Sequence, residues 1–164
     1  MGMTMIENLD SLFKQISLGV YVIGVSDGDE LNAFTAAWVM QVSFNPPLLA
    51  FSINSKHHSY QLLKASGKCS INVLGRNQLA IAEHFGKPST TDKMAGYQWQ
   101  FATTGAPILS ESLVYFDCFV KHYSDAGDHK VVICSVASAD RLNNGEPMLY
   151  QQTGDIDGSS GLYE

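Results

Sequence analysis

The chain has 164 residues, a formal net charge of −6, and 45% apolar against 16% charged residues. That length suits one domain able to bury about two thirds of its unfolded surface, with a composition ordinary for a globule though slightly short of charge. Its ten basic residues are scattered without a run, which argues against a nucleic-acid binder, since neutralising phosphates needs clustered Lys and Arg.

In chain order, Asn8 is placed to cap a short helix whose Leu9, Leu12, Phe13 and Ile16 fall at i, i+3, i+4 and i+7, with Gly19 as its stop. Val20 to Val25 reads as a strand. Ser26-Asp-Gly-Asp-Glu30 reads as a hairpin turn into a strand carrying Phe34 to Trp38. Pro46 and Pro47 mark an edge or turn before the strand Leu48–Ile53. Ser59 is expected to cap a helix through Leu62, Leu63 and Ala65 that Gly67 stops. Cys69–Leu74 is another strand, and Asn77 is expected to cap a helix with Leu79, Ile81, Ala82 and Phe85.

Residues 86–112 lose periodicity, broken by Gly86, Pro88, Gly96, Gly105 and Pro107; an aperiodic stretch this long inside one domain is more often functional than idle. Leu113–Tyr123 and Lys130–Leu142 are the longest strand candidates, joined by Asp125-Ala-Gly-Asp-His129. Asn143-Asn-Gly-Glu146 then turns the chain into Met148–Tyr150. This order predicts a mainly β chain with minor α: an antiparallel, Greek-key-like barrel, closed or nearly so, with helices on its surface. Residues 1–152 form the domain, and the Gly- and Ser-rich segment 153–164 is expected to be a mobile tail.

Cys69, Cys118 and Cys134 are odd in number, far apart and set in apolar runs, so buried reduced thiols are expected. The absence of a Cys-x-x-Cys pair argues against zinc or iron–sulfur sites, and no metal is expected. No charged-then-apolar leader opens the chain, and no apolar run nears the ~18 residues of a membrane span. Met1-Gly2 is not a myristoylation signal, because Ile6 stands where Ser or Thr is needed. A cytoplasmic protein without membrane contacts is expected.

Nucleophile elbows, P-loops and dinucleotide fingerprints are all missing, so a bound cofactor would have to carry any difficult step. Two stretches could hold one. Thr35, Ala36 and Ala37 offer backbone unscreened by large side chains, followed at once by the flat Trp38. One short strand later, Ser52, Asn54, Ser55, Lys56 and Ser59, with His57 and His58 among them, supply hydroxyls and cations at a helix start, which suits an anion. By residue type alone, Trp38 serves equally as a core aromatic, Phe85 as core, Lys93 as a solvated cation and His129 as a surface turn residue.

Short stretches add a resemblance: Ser17-Leu-Gly-Val-Tyr-Val-Ile23, Thr35-Ala-Ala-Trp38, Val42-Ser-Phe-Asn-Pro-Pro47, Ile71-Asn-Val-Leu74, His84-Phe-Gly-Lys87, Gly105-Ala-Pro-Ile-Leu109, Gly127-Asp-His129 and Pro147-Met-Leu-Tyr150. In this order, across roughly residues 10–150, they resemble the flavin reductase-like, FMN-binding split-barrel family, including flavoredoxins and the reductase modules of some flavodiiron proteins. The resemblance implies a split β-barrel binding FMN (or FAD), with Thr35–Trp38 lining the flavin and Asn54–Ser59 holding its phosphate. Phe85 and Lys93 would lie beside the cofactor, and His129 would act catalytically on the nicotinamide side. It further implies a homodimer that takes hydride from NADH or NADPH and passes electrons to free flavin or a redox partner protein. A flavoredoxin-like electron carrier without efficient NAD(P)H oxidation and a non-catalytic flavin-binding module are the alternatives. The late aromatic of the family is displaced here to Tyr163, and Met94 stands where an aromatic or arginine is usual.

Overall fold

The computed structural model describes residues 6–88 and 92–163; the Met1-Gly2 reading and the last residue of the expected tail, Glu164, lie outside them. The apolar run after Gly19 becomes β1 (Tyr21–Ser26), buried on both faces. A hairpin at Asp27–Glu30 turns it into β2 (Leu31–Ala36). The strand expected to run to Trp38 stops at Ala36. A separate strand, β3 (Val39–Ser43), follows after Ala37 and Trp38 and pairs with β4 (Leu48–Ile53). The remaining long strands are β5 (Lys68–Val73), β8 (Val114–Ala126) and β9 (His129–Arg141), while β6 (Trp99–Gln100) and β7 (Ile108–Leu109) make a small separate ribbon.

Seven strands form one antiparallel sheet in the order β2-β1-β5-β8-β9-β4-β3. The sheet rolls up because alternate residues of distant strands seek one core: Ile23 and Val25 of β1 share a cluster with Phe51 and Ile53 of β4 and Val132 and Cys134 of β9. Its two edges, β2 and β3, are joined by chain rather than by a ladder, which leaves the barrel split. The three cysteines lie in this lumen, free and fully buried, with Cys69 and Cys134 sulfurs 3.7 Å apart. Hydrogen bonding with the Cys118 and Cys134 thiols, and then burial, push the Cys69 pKa well up, which keeps it an inert packing group.

The opposite face of β1 and β2 packs a second core, where Val20, Val22 and Ala33 meet Leu109, Met148 and Phe85 of α3 (Leu79–Phe85). Gly24 has no room for a side chain: a Cβ there would sit 2.1 Å from the Pro107 carbonyl oxygen. That contact, with Asn72 and Asp117, fastens the long aperiodic stretch to the barrel. Asn72 donates to the Val22 carbonyl (2.8 Å) and accepts from the Leu109 N–H (3.0 Å). The buried Asp117 carboxylate accepts from the N–H of Thr104 (2.9 Å), from its hydroxyl, and from Ser138 (3.3 Å).

Helix starts differ from expectation. Gln78 rather than Asn77 precedes α3, and His57 rather than Ser59 is the N-cap of α2 (His58–Ser66); Gly67 closes α2 in the left-handed conformation as expected. The N-terminal helix α1 (Leu9–Phe13) follows Asn8, stops at Phe13 well before Gly19, and buries none of its residues. Residues 153–163 carry a short 3-10 helix, Ser159–Tyr163, that packs on α1 with Phe13 and Tyr163 rings stacked at 5.6 Å. No helix among the described residues is long and apolar enough to cross a membrane.

Candidate active site

The β8–β9 hairpin turns on Gly127 and Asp128, with Gly127 at φ 60°, where a side chain would be strained. This tight turn delivers His129 as the first residue of β9. Its Nδ1 lies 2.7 Å from an Asp128 carboxylate oxygen, and its ring tilts against Trp38 with centroids 5.0 Å apart. The hydrogen bond and charge of His129 hold the Asp128 carboxyl below its ordinary range, with a further pull from Lys56.

Three more basic side chains come to the same end of the barrel. His57 has its pKa lowered by burial first, then by the charges of His129 and Lys93. Lys93, a solvated cation by residue type alone, is only 3% accessible, and its ammonium donates to the carbonyls of Lys87 (2.9 Å) and Phe85 (3.3 Å). Burial lowers its pKa. Among the described residues no carboxylate reaches salt-bridge distance of Lys93 or Lys56. A buried cation without a counter-ion, beside two histidines and an exposed lysine, is a vacancy of charge that an anion would fill. The first turn of α2 opens here with no side-chain cap on its N–H groups.

Next to this basin lies an apolar cleft of about 620 Å³. Its floor is Trp38 and the outer face of β3, β4 and β9: Met40, Ala50, Ser52, Val131 and Ile133. Its far wall is α1 with the C-terminal segment. Trp38 belongs to both regions, through the cleft on one side and His129 on the other, and its carbonyl accepts the Ser52 N–H at 3.1 Å.

The candidates from sequence therefore divide. Trp38, Ser52, Lys56, Lys93 and His129 border the basin or cleft, and Asn54 shapes the loop by accepting the Lys56 N–H at 2.9 Å. Ser55 is exposed in the same turn. Thr35 is otherwise engaged, because its hydroxyl donates to the Ala82 carbonyl at 2.7 Å and ties β2 to α3. Ala36 packs toward the lumen and Ala37 toward the second core, so of this tetrapeptide Trp38 alone lines the cleft. Ser59 faces away from the basin: with the N-cap of α2 two residues earlier than expected, its hydroxyl is buried and accepts from the Asn32 amide at 2.9 Å. Phe85 is likewise core, fully buried with its ring packed on Tyr97 and Trp99. Sequence reasoning missed Tyr150, Tyr163 and Phe13 as cleft residues, and gave His57 only a minor place.

A mainly antiparallel split barrel with a basic basin beside an apolar cleft has the shape and chemistry that suit a flat aromatic ligand with a phosphate tail. Residues 13–157 match the family model of the flavin reductase like domain, and the chain belongs to that family. It is 35% identical over 145 residues to an FMN reductase (NADH), RutF, of Agrobacterium fabrum, a match covering 87% of this chain and 83% of the relative. It is equally identical over 128 residues to HsaB, the reductase subunit of a flavin-dependent monooxygenase from Mycobacterium tuberculosis, covering 78% of this chain and 68% of that one. Among solved structures, the NADH:FAD oxidoreductase SgcE6 of Streptomyces globisporus superposes with a TM-score of 0.80 at 26% identity, over 91% of this chain and 93% of its own. That protein has also been solved with NAD and FAD fragments.

Proposed function

We propose that this protein is an NAD(P)H-dependent flavin reductase that holds FMN between the basin and the cleft and passes its electrons to free flavin or to a partner acceptor. The observation that carries this is Lys93, buried without a carboxylate partner beside His57. FMN fits that donor set: its phosphate ester carries nearly two negative charges near neutral pH, and a cleft of about 620 Å³ suits a three-ring head. FAD is the second candidate for the same place.

Lys56, Lys93 and His57 would hold the phosphate, with the uncapped start of α2 adding N–H dipoles. Trp38 and Ser52 would border the ring system, and His129, oriented by Asp128, would face the reacting side. When bound, the flavin supplies the hydride acceptor that no side chain can provide. The protein's share is orientation, exclusion of water and placement of a donor at His129 Nε2. Relatives named as reductase components of a monooxygenase and of a tryptophan halogenase favour a partner oxygenase as the acceptor. The three free, buried thiols suit a reducing, cytoplasmic compartment.

The test is a spectrum. The purified protein reconstituted with FMN should be yellow and should bleach rapidly under anaerobic NADH or NADPH. A stable yellow complex that neither nucleotide bleaches would select the electron-carrier reading instead.

A homodimer belongs to the same proposal. Trp38, Met40, Val42 and Phe44 are 48%, 64%, 39% and 90% exposed, a continuous apolar line along β3 and its turn. Such a line is costly in water and is most simply covered by a second copy around a two-fold axis, over more than about 1,000 Å². Light scattering at micromolar concentration should give twice the chain mass, and Met40→Glu should shift it toward the monomer. A wild-type monomer that still carries FMN would rule the dimer out.

A further inference from the structure

We propose that the two ends of the chain form a latched wall of the cleft that closes on the ring end of the bound ligand, with Tyr150, Asp157 and Ser159 as the latch. This rests on the reading of the cleft as the flavin-ring site.

The wall is built from pieces that hold each other and touch the barrel at Tyr150 and Ile156. None of the α1 residues is buried, and its contacts to the C-terminal segment are the Phe13–Tyr163 stack and a bond from the Lys14 ammonium to the Gly154 carbonyl at 3.1 Å. The segment is shaped from within: Asp155 accepts from the Ser160 N–H and hydroxyl, and Asp157 accepts from the Ser159 N–H at 3.1 Å. It is a preformed strap.

Tyr150 is the post to which the strap is tied. Its ring belongs to the second core, beside Val20, Leu74 and Phe85, so its hydroxyl is held in place. That hydroxyl donates to Asp157 at 2.8 Å, and its one proton being so used, the Ser159 hydroxyl at 3.1 Å must donate to it. Burial pushes the Tyr150 pKa up to about 12, which keeps it a donor throughout the ordinary pH range. Three hydrogen bonds, one ring stack and the partly buried Ile156 on the second core are a small attachment, of the order found in segments that open without global unfolding.

The wall faces the ring and leaves the phosphate alone. Phe13, Ile16, Tyr150, Ser159 and Tyr163 line the cleft opposite Trp38 and Val131, whereas Lys56, His57 and Lys93 do not line it. Aromatic edges of this kind contribute area and stacking to a flat ligand. A ligand that fills the cleft gives the strap a second surface to rest on, so binding and closure reinforce each other.

The wall's effect should therefore be independent of the phosphate, and riboflavin against FMN separates the two. Dissociation constants of both would be measured by fluorescence quenching for wild type, Tyr150→Phe, Tyr163→Ala and Lys56→Glu, with amide hydrogen exchange of residues 153–163 followed in free and flavin-saturated wild type. Tyr163→Ala, at the tip of the strap, guards against a core defect in the Tyr150 variant. Flavin should slow exchange in the strap, and both tyrosine variants should weaken FMN and riboflavin by the same factor, about three- to tenfold. Lys56→Glu should weaken FMN while sparing riboflavin. If Lys56→Glu behaves so but the tyrosine variants change neither ligand and exchange is unaltered by flavin, the wall is refuted and the site stands. If Lys56→Glu leaves FMN unchanged, the site itself is misplaced and the wall falls with it.

Discussion

His129→Ala should leave FMN bound yet slow its reduction by NADH by roughly ten- to a thousandfold. Asp128 holds Nδ1 at 2.7 Å, and among the described residues Nε2 has no hydrogen-bond partner. The ring is therefore oriented with one nitrogen left for the site, packed at the side of Trp38. A donor in that position can align a nicotinamide amide or offset negative charge that arrives with reduction. Either role acts on the reducing step and leaves the phosphate contacts untouched. Stopped-flow bleaching at saturating NADH measures it, with dithionite reduction showing that the flavin is intact. Asp128→Asn should produce a smaller loss, since it loosens the ring without removing it. Equal NADH rates in wild type and His129→Ala would reduce His129 to a turn residue.

The hairpins were the most legible part of the fold because their signals are local. Asp27-Gly-Asp-Glu30 and Gly127-Asp128 both sit between strong apolar strands, and each turn forms where its glycine allows. β3 escaped because nothing punctuates its start: Ala37 and Trp38 break the strand without a glycine or proline, where the chain passes from one edge of the sheet to the other. The break has a tertiary cause, the change of sheet edge, and no local one. The same holds for Lys93. By residue type it reads as a solvated cation, but its ammonium donates to the carbonyls of Phe85 and Lys87 and its own carbonyl pairs with His84 Nε2, so it is buried against the end of α3.

Ser59 shows how little displacement a role tolerates. A helix beginning two residues earlier turns the expected anion ligand inward onto Asn32 and puts His57 in the cap position instead. The C-terminal segment is opaque for another reason. Its Gly- and Ser-rich composition signals mobility, while its contacts run to a buried tyrosine and to a helix at the opposite end of the sequence. Period and composition are blind to both. Lys56, by contrast, was readable because charge in a loop before a helix needs no distant partner to face an anion.

Lys56→Glu should weaken FMN binding by about 1–3 kcal/mol, roughly 5- to 150-fold, the scale of one charge-assisted hydrogen bond lost and a repulsion added. The side chain is exposed and unpaired among the described residues, so its replacement should leave the fold intact. Lys93 would be a poorer probe, because removing its ammonium also strips a donor from the carbonyls of Phe85 and Lys87. The loss in Lys56→Glu should shrink at high salt, as expected for an exposed charge screened over about 8–10 Å. It should also act through the phosphate alone. Fluorescence titrations with FMN at two ionic strengths check both points, and an FMN affinity equal to wild type at low salt would remove Lys56 from the phosphate site. His57 adds a pH dependence of known sign. Its folded pKa lies below the ordinary 6.5 because burial and the charges of His129 and Lys93 oppose its proton. The unliganded fold therefore loses stability as pH falls below that value. A bound phosphate reverses the sign of the local charge, so FMN should stabilise the protein more on the acid side, and in Lys56→Glu part of that gain should vanish.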